Sequence, residues 1–238
     1  MPALDSLKVK IFADGADCAG IREMAAKRYI AGFTTNPTLM RKAGVTDYRA
    51  FGKEALDCVG GRPISFEVFS DEFEEMERQA REIASWGKNV YVKIPVTNTQ
   101  GVPSDEVIRE LSADGVHLNV TALMTTTQVQ AVAKASQGGP GHVVSVFAGR
   151  IADTGRDPIP LMAEALQVLA SQPELELLWA SPREVLNIRQ AEQVGVHIIT
   201  VTPELLAKTK SFDKDLDQFS LETVQMFHDD AAAAGYTL

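Results

Sequence analysis

Sulfur chemistry has little to work with in this chain. Only Cys18 and Cys58 occur among its 238 residues, 40 positions apart, with no CxxC and no neighbouring histidine. That excludes a disulfide framework and offers no zinc-ligand spacing, so both are read as packed thiols. Histidine is scarce too: His117, His142, His197 and His228 are spread widely, and none is read as catalytic. Basic runs are missing, with 23 Lys and Arg against 32 Asp and Glu and a net charge of -9, which argues against a nucleic-acid partner. No apolar stretch approaches the ~20 residues needed to cross a bilayer, and the N-terminus lacks an apolar signal core. A cytoplasmic protein with no membrane partner is expected. No linker, low-complexity tract or internal repeat divides the chain, so residues 1–238 are read as one domain.

What remains is alternation. Eight short runs rich in β-branched and aromatic residues are predicted as strands at 9–14, 32–36, 64–68, 90–95, 116–121, 142–147, 177–181 and 197–202. Helical patterns lie between most of them, at about 18–29, 47–59, 71–86, 103–113, 158–171 and 183–193. A short helix follows the eighth strand, and a last one is expected over about 221–234, within a C-terminal segment of about 219–238. Strand and helix units of this size imply a parallel sheet, and eight is the number that closes a (β/α)8 barrel. A doubly wound open sheet would usually carry a glycine-rich turn after its first strand, and Asp14-Gly15-Ala16-Asp17 has no G-x-G-x-x-G. The prediction is therefore an α/β chain forming one (β/α)8 barrel with an additional C-terminal helix.

Barrels of this kind build their sites at the C-terminal ends of the strands. Those ends read Asp14, Thr34 with Asn36, Glu67, Lys93, Asn119 with Thr121, Ser145 with Arg150, Ser181 with Arg183, and Thr202. Thr202 before Pro203 is read as a helix cap, and Ser181 before Pro182 is open to the same reading. Lys93 is the unusual member, because Val90-Tyr91-Val92-Lys93-Ile94-Pro95 sets a lysine inside an apolar strand. Such a lysine snorkels, pairs with a carboxylate, or becomes a neutral amine and a nucleophile. Two carboxylates, Asp14 and Glu67, are expected to share its mouth, so a plain ion pair is one reading. Schiff-base chemistry is the other. A neutral Lys93 would attack a ketone, Asp14 would take the proton of the hydroxyl beyond the cleaved bond, and Glu67 would move protons through a water. Thr121 and Asn119 would position that water and substrate hydroxyls. Arg150 and Arg183 follow strands six and seven, where barrels often hold phosphate, which points to a phosphorylated sugar.

The motifs Phe12-Ala13-Asp14, Gly32-Phe33-Thr34-Thr35-Asn36-Pro37-Thr38, Val92-Lys93-Ile94-Pro95, Leu118-Asn119-Val120-Thr121-Ala122 and Phe147-Ala148-Gly149-Arg150-Ile151 together resemble the small transaldolases, the group that includes fructose-6-phosphate aldolases. The resemblance implies Lys93 as the Schiff-base lysine, Asp14 as the acid/base, and Glu67 as the third-strand carboxylate. It implies that Asn36 and Asn119 bind substrate and that Ser145, Arg150, Ser181 and Arg183 form the phosphate pocket; Thr34 and Phe147 are also read as substrate-binding. Glu67 and Phe147 resemble transaldolases, where the aldolases tend to carry glutamine and tyrosine, so transfer is favoured over release of free dihydroxyacetone. Pro182 and the Asp14-Gly15-Ala16-Asp17 turn depart from the family pattern. The resemblance further implies sugar phosphates as partners, no cofactor and no metal, a place in the pentose phosphate pathway, and a homo-oligomer of five or ten subunits. A fructose-6-phosphate aldolase and a non-catalytic sugar-phosphate-binding barrel are the alternatives.

Overall fold

The computed structural model describes residues 4–237; Leu238, the end of the predicted C-terminal segment, lies outside them. Eight parallel strands, β1 (Lys10–Asp14), β2 (Ile30–Thr34), β3 (Ile64–Glu67), β4 (Val90–Pro95), β5 (Leu118–Leu123), β6 (His142–Val146), β7 (Leu175–Trp179) and β8 (Ile198–Val201), close in sequence order, with β8 paired back to β1. The helices are α1 (Cys18–Ala25), α2 (Pro37–Lys42), α3 (Tyr48–Cys58), α4 (Phe73–Ala84), α5 (Asp105–Ala113), α6 (Thr126–Ala135), α7 (Ala148–Ala152), α8 (Ile159–Leu169), α9 (Leu186–Val194), α10 (Pro203–Ala207) and α11 (Leu216–Ala234). The predicted (β/α)8 barrel is what forms.

Strand alternation sorts the side chains into two cores. Val92 and Ile94 of β4 point outward and join the layer between sheet and helices, with Phe33, Leu177 and Trp179. Phe12, Val143, Leu178 and Ile198 fill the barrel itself, with Tyr91 packed against them. Gly32 makes that filling possible, since a Cβ there would meet the Phe12 ring at 2.5 Å. The same alternation carries Asp14, Glu67, Lys93, Asn119, Ser145 and Thr200 up the inner wall, one step above the apolar plug.

Three strands are offset by two residues from the prediction: β2 and β7 begin earlier and β5 later. The physical stops explain the first two. Asn36 leaves β2 to cap α2, accepting from the Leu39 N–H at 3.0 Å, and Ser181 adopts φ 62°, which no strand continues. Helices α2, α6 and α7 were not predicted; α6, the longest of them, is Thr/Gln/Ala-rich and lacks a stripe of large apolar residues, its signal being the capping box that Thr125 and Gln128 form. Helix α11 starts five residues before the predicted 221 and none of its described side chains is buried, leaving Leu216, Val224 and Phe227 exposed. Among the described residues, no helix is long and apolar enough to cross a membrane.

Three of the four histidines, His117, His142 and His197, sit at or just before strand starts, at the opposite end from the strand C-termini. His142, the first residue of β6, accepts from the Leu118 N–H through Nδ1 at 3.1 Å, so its Nε2 carries the proton and meets Ser112 Oγ at 2.9 Å. Burial, and then the neighbouring His117, push it down from 6.5 to about 4. Between those values the unfolded chain binds the proton and the native one does not, so this group's stability contribution is lost as pH falls from 6.5 towards 4. The full effect is about 3 kcal/mol. Urea unfolding across that window is expected to show the gap between wild type and His142→Phe narrowing as the solution is acidified.

Candidate active site

The mouth of the barrel is a cavity of about 420 Å³ whose lining includes Asp14, Thr34, Asn36, Glu67, Lys93, Asn119, Thr121, Ser145, Phe147, Arg150, Ser181 and Thr200. Eleven of the twelve site residues predicted from sequence are among these. Lys93 is 7% exposed. Its ammonium lies 3.1 Å from Glu67 Oε2 and donates to the Thr35 carbonyl at 2.9 Å. Backbone register explains the first contact, because Glu67 and Lys93 are direct partners in the β3/β4 ladder and both point inward.

Asp14 sits on the β1 side. Thr34 Oγ1 donates to its Oδ1 at 2.8 Å and Asn36 Nδ2 to its Oδ2 at 3.4 Å. Burial holds the Asp14 carboxyl above its ordinary range, with Glu67 adding to that rise, while the Lys93 charge and the two hydrogen bonds oppose it. Thr34 Oγ1 also contacts Thr200 Oγ1. Since the Thr34 proton goes to Asp14, the Thr200 hydroxyl donates to Thr34, forming a chain that ends on the carboxylate. Thr200 escaped the sequence reading, which stopped at Thr202 as the strand end; inward alternation from Ile198 was the available signal. Thr202 itself caps α10, accepting from the Leu205 N–H.

On the other wall, Asn119 Nδ2 donates to Ser65 Oγ at 3.0 Å and its Oδ1 accepts from Ser145 Oγ at 2.6 Å, tying β3, β5 and β6 together. The Ser145 hydroxyl predicted for phosphate thus points its proton at Asn119. Thr121 Oγ1 is buried and has no hydrogen-bond partner among the described residues, which leaves it available to a water or a substrate hydroxyl. The Arg150 guanidinium lies 5.7 Å from the centre of the Phe147 ring. Arg183 is the predicted residue that the structure does not bring into the cavity: its Nε donates to Asp153 Oδ1 at 2.9 Å, and it lines a separate groove with Arg156 and Trp179. An exposed guanidinium finds a neighbouring carboxylate sooner than a distant mouth. Ser181 is held by Gly149, where a Cβ would fall 1.6 Å from the Ser181 carbonyl oxygen. No set of three or more histidine, cysteine, aspartate or glutamate side chains arranged to hold a metal occurs among the described residues.

A buried lysine, a carboxylate beside it and a second carboxylate across a sugar-sized cavity form a set capable of amine addition and proton transfer. The sequence profile of the Transaldolase/Fructose-6-phosphate aldolase family matches residues 11–238. The chain belongs to that family. A "Probable transaldolase" of Thermoanaerobacter sp. (strain X514) is 36% identical over 199 residues, 83% of this chain and 88% of its own length. One from Methanococcus maripaludis (strain C5 / ATCC BAA-1333) is 34% identical over 201 residues, 84% of this chain and 89% of that one. Membership of the transaldolase/aldolase family makes the chain an enzyme of that type. Among solved structures, a mandelate oxidase variant superposes with a TM-score of 0.54 at 15% identity, over 80% of this chain and 64% of that one, a likeness of fold alone.

Proposed function

We propose that this family member is a transaldolase that moves a dihydroxyacetone unit from a ketose phosphate, fructose 6-phosphate or sedoheptulose 7-phosphate, to an aldose phosphate, glyceraldehyde 3-phosphate or erythrose 4-phosphate, through an imine on Lys93. The observation that carries the reading is the lysine itself, 7% exposed at the mouth with Glu67 Oε2 at 3.1 Å. A proton passing from the ammonium to Glu67 leaves an amine that adds to the ketone. Glu67, through a water held by Thr121, returns protons as the carbinolamine loses water. The iminium then draws the electron pair of the carbon–carbon bond between C3 and C4, and Asp14 takes the C4 hydroxyl proton as the aldehyde leaves. The enamine attacks the acceptor aldehyde, Asp14 returns the proton, and hydrolysis frees Lys93. Thr34, Asn36 and Asn119 order the hydroxyls. Arg150, with Ser145 and Ser181, receives the phosphate, and Arg183 joins only if it leaves Asp153. We further place the enzyme in the cytoplasm and the pentose phosphate pathway, as a homo-oligomer of five or ten subunits; the unburied apolar residues of α11 support association.

A coupled assay with fructose 6-phosphate, with and without erythrose 4-phosphate, tests the reading. Glyceraldehyde 3-phosphate is expected only with the acceptor present. Release without it would establish the second reading, an aldolase freeing dihydroxyacetone. Phe147 supports transfer over release, because an apolar ring supplies no proton to the waiting enamine. Phe147→Tyr is expected to raise acceptor-independent release by about tenfold, a modest general-acid effect; an unchanged ratio of release to transfer would remove Phe147 from that role.

A further inference from the structure

Strands β2 and β3 pair for only two residues, Phe33 with Ile64 and Thr34 with Ser65. The Phe33 N–H donates to the Pro63 carbonyl and the Thr35 N–H to the Ser65 carbonyl. A parallel ladder continues by having the residue whose N–H reaches one position accept from the position two further on. The Thr35 carbonyl would therefore take the Glu67 N–H. Instead it accepts from Lys93 Nζ at 2.9 Å. The Glu67 N–H goes to the Tyr48 hydroxyl oxygen at 2.9 Å, and that hydroxyl donates to the Glu67 carbonyl at 3.0 Å. One side chain of α3 thus stands where a strand's peptide group would stand.

We propose that Tyr48 is a positioning residue for the reacting pair: by taking over the main-chain hydrogen bonds of Glu67, it frees the Thr35 carbonyl to hold the Lys93 nitrogen. This rests on the imine reading of Lys93. Without the hydroxyl, the Glu67 N–H and the Lys93 ammonium compete for one carbonyl, because a buried N–H rarely stays unpaired. Closing the ladder would remove the hydrogen bond that aims Lys93 and would shift the Glu67 carboxylate on the same strand end. The hydroxyl is well fixed. The Tyr48 ring meets those of Phe66, Phe69 and Trp86 edge-on, at centroid distances of 6.2, 4.5 and 5.4 Å. Burial holds its ionisation far above the ordinary tyrosine range, so it remains a neutral group that both donates and accepts. Nothing in the local sequence marked Tyr48, which lies 19 residues before Glu67 and on a different element.

The test compares Tyr48→Phe, which removes one oxygen, with Trp86→Phe, which loosens the ring packing and leaves the hydroxyl. Each is incubated with fructose 6-phosphate and borohydride, and the adduct on Lys93 is followed by peptide mass. Tyr48→Phe is expected to slow trapping and kcat together by about 10- to 100-fold with KM within about threefold. Trp86→Phe is expected to lower Tm while trapping at close to the wild-type rate. Trapping by Tyr48→Phe at the wild-type rate would overturn the proposal alone, as would equal slowing in Trp86→Phe. Loss of the far-ultraviolet circular dichroism of Tyr48→Phe would make the hydroxyl a folding element and overturn the positioning role. A wild type that yields no adduct would overturn both this inference and the imine.

Discussion

Lys93→Met is expected to lower kcat/KM by about four orders of magnitude or more and to abolish the borohydride adduct, because the substitution removes the nucleophile that the covalent route depends on. Methionine keeps an unbranched stem in the slot between β3 and β5 and loses the charged head. Glu67, whose side chain is 18% exposed, still reaches solvent at the mouth, so the unpaired carboxylate is expected to cost about 3 kcal/mol. The variant should therefore fold, with wild-type circular dichroism and a lowered Tm. Retention of even a hundredth of wild-type transfer would show that the lysine is an ion-pair partner and that the chemistry runs elsewhere.

Asp14→Asn is expected to cost 10²- to 10⁴-fold in kcat, the usual worth of a positioned acid–base group. The step lost is cleavage, so the imine should still form and be trapped with intact ketose attached. The raised Asp14 ionisation gives the pH dependence its sign. Asp14 accepts a proton only when ionised, so wild-type cleavage falls as pH drops through a midpoint above the ordinary carboxylate range, and Asp14→Asn loses that limb. For stability the sign reverses. A folded-state value above the unfolded one means that stability is fully present below the unfolded value of 3.8 and declines as pH rises through the folded one. Asparagine removes that buried charge, so Asp14→Asn is expected to melt at the same temperature or higher at pH 7. A large drop in Tm together with an unchanged acidic limb would count against the carboxylate as the base.

The barrel was legible because its outer strand positions are apolar and its stops are chemical: Pro37, Pro95 and Pro203 end runs at or near their true limits. The inner wall was legible for a different reason. Acidic, basic and amide groups one step from the end of successive strands have no bland use in common, and Asp14, Glu67, Lys93 and Asn119 share one cavity. What escaped depends on the third dimension. Helix α6 buries small residues, so its periodicity is weak although its cap is plain. Arg183 follows a strand end correctly, yet a carboxylate 30 residues away in sequence, Asp153, captures its guanidinium. Tyr48 reads as an ordinary helix residue, since its role arises only where the β2/β3 ladder stops short.

His142 lies at the foot of the barrel and Asp14 at its rim, with the apolar plug of Phe12, Val143 and Leu178 between them. Acid therefore acts on this molecule twice, through separate groups. On the proposed mechanism, protonating Asp14 at the rim stops cleavage, and neutralisation restores it. Protonating the foot breaks the bond to the Leu118 amide and loosens the β5/β6 seam, which leads towards unfolding. Tolerance to acid during storage can thus be bred into the foot, around Ser112, His117 and His142, none of which lines the cavity at the mouth.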